Sequence, residues 1–222
     1  MALNVKTIKV GIERTNCYIV SLNSGETFIV DPGAEPEKIL VELSNIKNLD
    51  LKYILLTHGH FDHVGAVDRI KELYTEVPVK IHENDIILYR DSLEQGAFVG
   101  RLLKSQKSEV EAVGAGEFLP FGDSEIEVLD TPGHTPGGVC YLVTGYSSNE
   151  MRSSHSRSND ILFSGDTLFY HTIGRTDLPL SSEKELKLSL DRLMHLPPET
   201  IVYPGHGRDT TISEELKDNS HL

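Results

Sequence analysis

Six consecutive positions, His58-Gly59-His60-Phe61-Asp62-His63, hold three imidazoles and a carboxylate just beyond the apolar run Lys52-Tyr53-Ile54-Leu55-Leu56. A lone histidine on an apolar face is more often a satisfied core residue than a ligand. Four such groups on one turn are another matter, because they repel one another or stay desolvated unless a cation organises them. The run therefore reads as a metal site. Three further candidates stand in turn-rich settings: His134 in Thr131-Pro132-Gly133-His134-Thr135-Pro136-Gly137-Gly138, Asp166 in Ser164-Gly165-Asp166-Thr167, and His206 in Tyr203-Pro204-Gly205-His206-Gly207. The whole set is five histidines and two aspartates without a thiolate, enough for two divalent metals sharing one carboxylate. Imidazole with carboxylate suits Zn, Fe or Mn, and Zn is the first expectation.

The elements that must position these groups are legible as short apolar runs. Ile126 to Leu129, Ile161 to Phe163 and Ile201 to Tyr203 read as strands, each ending where Gly and Pro force a turn that carries a candidate ligand. Strands hold the loops, and the loops hold the ligands. Other strands are expected near 5–10, 15–21, 26–30, 52–56, 78–82, 117–121 and 138–144, with the three ligand strands over 125–129, 160–164 and 200–203. Pro36 suits the first turn of a helix over about 36–47, with Ile39, Leu40, Leu43 and Ile46 as its buried stripe. Val64, Val67, Ile70, Leu73 and Tyr74 continue the ligand run at helical spacing, which puts Asp62 and His63 at a helix start. Ser182-x-x-Glu185 reads as a capping box for a helix over about 182–195, with Leu186, Leu190, Leu193 and Met194 facing the core. Glu83 to Gly116, with a helix over Asp85 to Glu94, reads either as a mobile cover over the site or as a surface connection. A polar, Ser-rich stretch at about 146–159 reads as an exposed, disordered hairpin insertion whose His155 is not a ligand.

At 222 residues the chain suits one compact domain spanning 1–222. Its two cysteines, Cys17 and Cys140, match no metal or redox motif, so a reducing cytoplasmic setting is the default, with an organelle left open. No segment has the apolar length of a signal peptide or membrane span, so no membrane partner is expected. A net charge of −13 argues against nucleic acid, whose phosphates call for clustered Lys and Arg. It does not argue against an anionic small substrate, because two divalent ions outweigh Asp62 and Asp166 locally. The oligomeric state is left open.

In order along the chain, Asn16-Cys17-Tyr18-Ile19-Val20, Ile29-Val30-Asp31-Pro32-Gly33, the His-x-His-x-Asp-His run, Thr131 to Gly138, Gly165 to Pro179 and Tyr203 to Gly207 resemble the metallo-β-lactamase superfamily. Within it the match is to the short, single-domain glyoxalase II-like (hydroxyacylglutathione hydrolase-like) branch. Its longer members carry a helical C-terminal segment with glutathione contacts, whereas this sequence stops soon after His206. The resemblance implies an α/β (α+β) fold, the αββα sandwich, with His58, His60 and His134 on metal one, Asp62, His63 and His206 on metal two, and Asp166 bridging. It also implies a small-molecule thioester substrate, S-lactoylglutathione or a related acyl thioester, attacked by a metal-bridging hydroxide that Asp62 and Asp166 help to hold. Asp31 is expected to accept a ligand imidazole's N–H, the alternative being a plain Asp-Pro-Gly turn. Arg175, in Gly174-Arg175-Thr176-Asp177, either meets a substrate carboxylate or pairs with Asp177. Three rivals are a one-iron glutathione persulfide dioxygenase, a lactamase or lactonase, and a non-catalytic metal-binding protein. The Gly205-His206-Gly207 setting favours the hydrolase over the dioxygenase, and Asp166 stands where the commonest β-lactamases carry cysteine.

Overall fold

A computed structural model describes residues 2–91, 95–96, 104–144, 147–148 and 160–222. Along the chain, β1 (Ala2–Val10), β2 (Thr15–Leu22) and β3 (Glu26–Val30) form an antiparallel meander. Helix α1 (Pro36–Ser44) then crosses to β4 (Asp50–Leu55), which joins β3 in parallel. Helices α2 (Phe61–Val64) and α3 (Val67–Lys71) lead to β5 (Val79–His82). A 3-10 turn over Glu83–Asp85 and α4 (Ile86–Arg90) precede β6 (Glu111–Val113). The second half runs through β7 (Phe118–Phe121), β8 (Ser124–Asp130), β9 (Val139–Val143), β10 (Ser147–Ser148) and β11 (Ile161–Gly165). A small hairpin of β12 (Leu168–Phe169) and β13 (Thr172–Ile173) follows, then α5 (Glu183–Leu193), β14 (Ile201–Pro204), β15 (Thr210–Thr211) and α6 (Ile212–Asp218). Among the described residues the two main sheets have the orders β10-β1-β2-β3-β4-β5-β6 and β15-β14-β11-β9-β8-β7.

Side-chain alternation along the strands explains why this chain stacks in four layers. Tyr18, Val20, Phe28, Val30 and Leu55 of the first sheet pack on Phe121, Ile126, Val128, Tyr141 and Phe163 of the second. Their immediate neighbours Cys17, Ile19, Ile29 and Ile54 point the other way, onto Ile39 and Leu43 of α1 and Val67 and Ile70 of α3. On the far side, Cys140, Leu142 and Leu162 meet Leu186, Leu190 and Leu193 of α5 and Ile212 of α6. Strands covered on both faces read as unbroken apolar runs rather than alternating ones. The expected αββα sandwich is observed. Both cysteines are free and buried, and from different sheets they face opposite helical layers.

Departures from the sequence expectation have local causes. The helix expected to run through Tyr74 is split, because the Ala66 N–H donates to the Pro32 carbonyl at 2.9 Å instead of continuing the helical ladder. The Asp-Pro-Gly turn thus wedges into the helix that follows the ligand run. Helix α1 stops at Ser44, where the Asn45 N–H donates back to the Glu42 carbonyl and the Ile46 N–H to that of Leu43, and Ile46 packs from beyond its end. Ser182 accepts the Glu185 N–H as expected of a cap, at 3.3 Å, but its own N–H donates to the Gly133 carbonyl, tying α5 to the loop of His134. Strand β6 was not expected, and it turns part of the 83–116 connection into a sheet edge beside β5. The helix expected over Asp85 to Glu94 is described only as far as Arg90 before residues 92–94, which lie outside the described residues together with 97–103. Of the expected insertion at about 146–159, Ser147-Ser148 pairs with Ala2-Leu3, and the rest lies outside the described residues.

Phe163 is fully buried between the sheets, with ring centroids 5.2 Å from Tyr18, 5.9 Å from Phe28 and 5.6 Å from Tyr203. Phe163→Ala should therefore cost about 3–5 kcal/mol of stability, measured by urea unfolding. A loss under ~1 kcal/mol would show that the layer between the sheets repacks freely.

Candidate metal centre

Strand β4 ends at Leu55, and the chain passes through Thr57 into the histidine run before α2 takes it away. Asp31, just past β3, holds this exit. Its Oδ1 accepts the Thr57 N–H at 2.8 Å, and its Oδ2 accepts the Thr57 hydroxyl at 2.6 Å. The same Oδ2 lies 2.9 Å from His63 Nδ1. That contact fixes the ring, leaving His63 Nε2 to face Asp62 Oδ2 and Asp166 Oδ1, each at 3.4 Å. Asp31 adopts φ 49°, a left-handed conformation that aspartate tolerates better than most residues. Asp31 thus meets a histidine ring as the sequence led one to expect, and its turn is part of the site.

The other ligand candidates arrive from the second sheet. His134, in the loop between β8 and β9, directs Nδ1 at the Arg175 carbonyl, 2.9 Å away, and its Nε2 is 3.0 Å from His60 Nδ1. The His58 ring lies 4.8 Å from that of His60 and 5.1 Å from that of His134, centroid to centroid. His206, past β14, directs Nδ1 at the Glu13 carbonyl at 3.2 Å and has Nε2 3.3 Å from Asp62 Oδ2. Two groups result, His58/His60/His134 and Asp62/His63/His206, and within each the candidate ligand atoms lie within 4.8 Å of one another. Asp166 stands between them. Its Oδ1 faces His63, and its Oδ2 is 3.6 Å from both His134 Nε2 and His206 Nε2.

These residues fit a pair of cations on an observation internal to the site. His58 Nε2, His63 Nε2 and Asp166 Oδ1 are buried without a hydrogen-bond partner. Each such orphan costs about 1–3 kcal/mol unless something satisfies it. A third grouping, Asp31/His58/His63, is also close enough to ligate. There both Asp31 oxygens already accept hydrogen bonds, so Asp31 acts as a brace. Burial holds the His58 imidazole well below its ordinary range and brings His60 down to about 3, so both rings are neutral with lone pairs available at pH 7. Burial would lower His63 too, but Asp62, Asp166 and Asp31 outweigh it and hold it up at about 10. Asp62 shifts the other way: burial opposes its ionisation, yet His63 and His206 keep its carboxyl below the usual range. A cation entering beside His63 must displace that ring's proton.

Close backbone approach makes room for the Asp166 carboxylate. A Cβ on Gly205 would lie 2.2 Å from Asp166 Oδ1 and 2.8 Å from His63 Cε1. Some positioning residues were not singled out from the sequence. The Thr15 hydroxyl donates to Asp62 Oδ2 at 2.8 Å, and the fully buried Asp85 accepts the N–H groups of Gly59 and Gly137. Asp85 lacked a signal because it stands among polar residues at the start of an expected helix, and Thr15 because it merely opens a strand. Arg175 binds Asp177 through two hydrogen bonds of 2.7 and 2.8 Å, with both side chains exposed, and contributes its carbonyl to His134. His82, His171, His195 and His221 fall in neither group.

The chain matches the Metallo-beta-lactamase superfamily over residues 10–147 and 153–206. It belongs to that family. Hydroxyacylglutathione hydrolase GloC of Haemophilus influenzae is 32% identical to it over 226 residues, covering 99% of this chain and 98% of the relative. The crystal structure of TTHA1623 in a di-iron-bound form superposes with a TM-score of 0.82 at 37% identity, covering 98% of this chain and 100% of that one. BLEG-1, a B3 metallo-beta-lactamase, superposes with a TM-score of 0.85 at 34% identity over 99% of both chains. The metallo-beta-lactamase fold, with α-helices outside two mixed sheets, is thus that of its relatives as well as of its own packing.

Because Gly205 has no space for a methyl group, Gly205→Ala should push Asp166 aside and weaken divalent-cation retention by about 10–100-fold while the far-UV circular dichroism stays that of the parent. Retention at the parental level, read by elemental analysis after desalting, would show that Asp166 has another way to reach the site.

Proposed function

We propose that this chain is a binuclear metal-dependent hydrolase of acyl thioesters, with S-lactoylglutathione as the first substrate to test. The carrying observation is Asp166, whose two oxygens face both ligand groups. Likeness to GloC and to the di-iron form of TTHA1623 supports the reading. Two divalent ions held by His58/His60/His134 and Asp62/His63/His206 with Asp166 between them would supply a Lewis acid for the carbonyl oxygen and an activated water at neutral pH. Zn is the first ion expected, with Fe or Mn as alternatives.

The protein's own part is to hold these groups and to leave the chemistry room. Asp31 fixes the His63 ring, Thr15 fixes the Asp62 carboxylate, and the carbonyls of Arg175 and Glu13 orient His134 and His206. All of these bracing groups are engaged in holding ligands, so none is spare to protonate a departing group. A thiol suits that arrangement, since with a reference pKa of about 8.5 it leaves as the thiolate, whereas an amide nitrogen needs a proton. His206, in contact with Asp62 and Asp166, favours a two-ion centre over the one-iron dioxygenase. A cytoplasmic setting is part of this proposal, with an organelle left open. Among the described residues no helix is long and apolar enough to cross a membrane.

Protein purified without chelator should carry two divalent ions per chain, about 3.5–4 Å apart. A stable content of one after adding excess Zn, Fe or Mn would overturn the binuclear reading. The Zn-loaded protein should release free thiol from S-lactoylglutathione under strict anaerobiosis, and Asp166→Asn should lower that turnover by at least ~100-fold. His206→Ala should damage it too. Oxygen uptake with glutathione persulfide that survives loss of His206, together with no anaerobic thiol release, would select the dioxygenase instead.

A further inference from the structure

The ligand loops are braced by two buried carboxylates, and only one of them, Asp31, touches a ligand side chain. Asp85 belongs to neither ligand group and yet is completely buried. Its Oδ2 accepts the N–H of Gly59, the residue between His58 and His60, at 2.9 Å. Its Oδ1 accepts the N–H of Gly137, in the His134 loop, at 2.6 Å. Both glycines press against the same residue: a Cβ on Gly59 would lie 2.6 Å from the Asp85 carbonyl oxygen, and one on Gly137 2.7 Å from the Asp85 nitrogen. Gln95 completes the grip, its Oε1 accepting the Phe61 N–H at 2.8 Å and its Nε2 donating to the carbonyls of Gly59 at 3.2 Å and Leu88 at 2.6 Å. Both backbone polar groups of Gly59 are thus held from one segment. His63, beyond Phe61, is in α2 and answers to Asp31.

We infer that Asp85 is the positioning residue of the His58/His60/His134 pocket: by joining the loop of His58 and His60 to the loop of His134 it sets that pocket's affinity for a divalent cation. Asp31 braces the Asp62/His63/His206 pocket directly through His63, and reaches His58 only through Thr57, whose hydroxyl lies 3.0 Å from His58 Nδ1. This rests on the two-pocket reading but not on a thioester being the substrate. Aspartate is needed because two N–H donors converge on one side chain. An asparagine there accepts from one loop and turns its own N–H against the other, so it leaves a buried donor unpaired. Residues 83–91 and 95–96 are then neither a plain surface connection nor only a cover, since Asp85 and Gln95 clamp the ligand run from outside.

Chelator-stripped wild type, Asp85→Asn and Asp31→Asn are titrated with Co2+, followed by calorimetry and by the ligand-field absorption of the bound ion. In Asp85→Asn one of two sites should weaken by about 10–100-fold while the other keeps its wild-type affinity. The spectrum of the ion that remains should match that of His134→Ala and differ from that of His206→Ala. Asp31→Asn should weaken the Asp62/His63/His206 site most, since it loosens the direct hold on His63 and touches His58 only through Thr57. An Asp85→Asn protein that holds both ions as wild type does, loses both in parallel, or matches His206→Ala overturns the inference. Should that variant fail to fold, Gln95→Ala decides it: a weakened His58/His60/His134 site is expected, and unchanged binding overturns the inference. Wild type that takes up only one ion brings down the two-pocket reading itself, an outcome distinct from any failure of Asp85.

Discussion

Asp166 is the carboxylate that faces histidines of both candidate groups, and its placement constrains everything around it. Its oxygens are within 3.6 Å of histidine nitrogens from both sets. Each set draws residues from both sheets. His58, His60, Asp62 and His63 follow β4 of the first sheet, whereas His134, Asp166 and His206 stand at strand ends of the second. The two sheets must therefore keep one separation, and the aromatic layer of Tyr18, Phe28, Phe121 and Phe163 between them keeps it. Interiors packed at crystal-like density resist small displacements, so the rigidity of the site is inherited from the layer beneath it.

Crowding seven polar side chains into one buried place has an electrostatic cost that the fold meets in two ways. Burial neutralises His58 and His60, which removes their mutual repulsion. Asp31, Asp62 and Asp166 hold charge on His63, so the acidic side of the centre is partly balanced before any cation arrives. Brace and ligand also differ in kind. A carboxylate whose oxygens are taken by backbone and hydroxyl donors, such as Asp31, is a support, whereas Asp166 keeps a buried oxygen without a hydrogen-bond partner, as a candidate ligand would.

The residues that the structure gathers into the two candidate groups were legible in the sequence because they sit densely and just beyond apolar runs that end in Gly and Pro. The four-layer fold was legible for a related reason: runs such as Cys17 to Val20 are apolar without alternation, as strands covered on both faces must be. What escaped depends on distant backbone. The break between α2 and α3 comes from the Pro32 carbonyl, more than thirty residues away, as the numbering shows. Strand β6 is three residues long with two exposed, too short for a period to appear. Asp85 is a polar residue among polar neighbours until tertiary structure buries it. For Arg175 the sequence offered two readings, and the pairing with Asp177 is the one observed.

Strands β11 and β14 lie parallel with Phe163 beside Tyr203, and each ring precedes its own ligand by the same number of residues. Unbroken register would set Asp166 against His206. The strands instead slip out of phase after Phe163, and Gly165 aligns with Pro204. That offset brings Gly205, the one residue type without a side chain, alongside the carboxylate, and sends His206 one step onward to reach Asp62. A single irregular peptide thus acts as a vernier between two otherwise equal arms: it turns matched spacing in the sequence into unmatched reach in space.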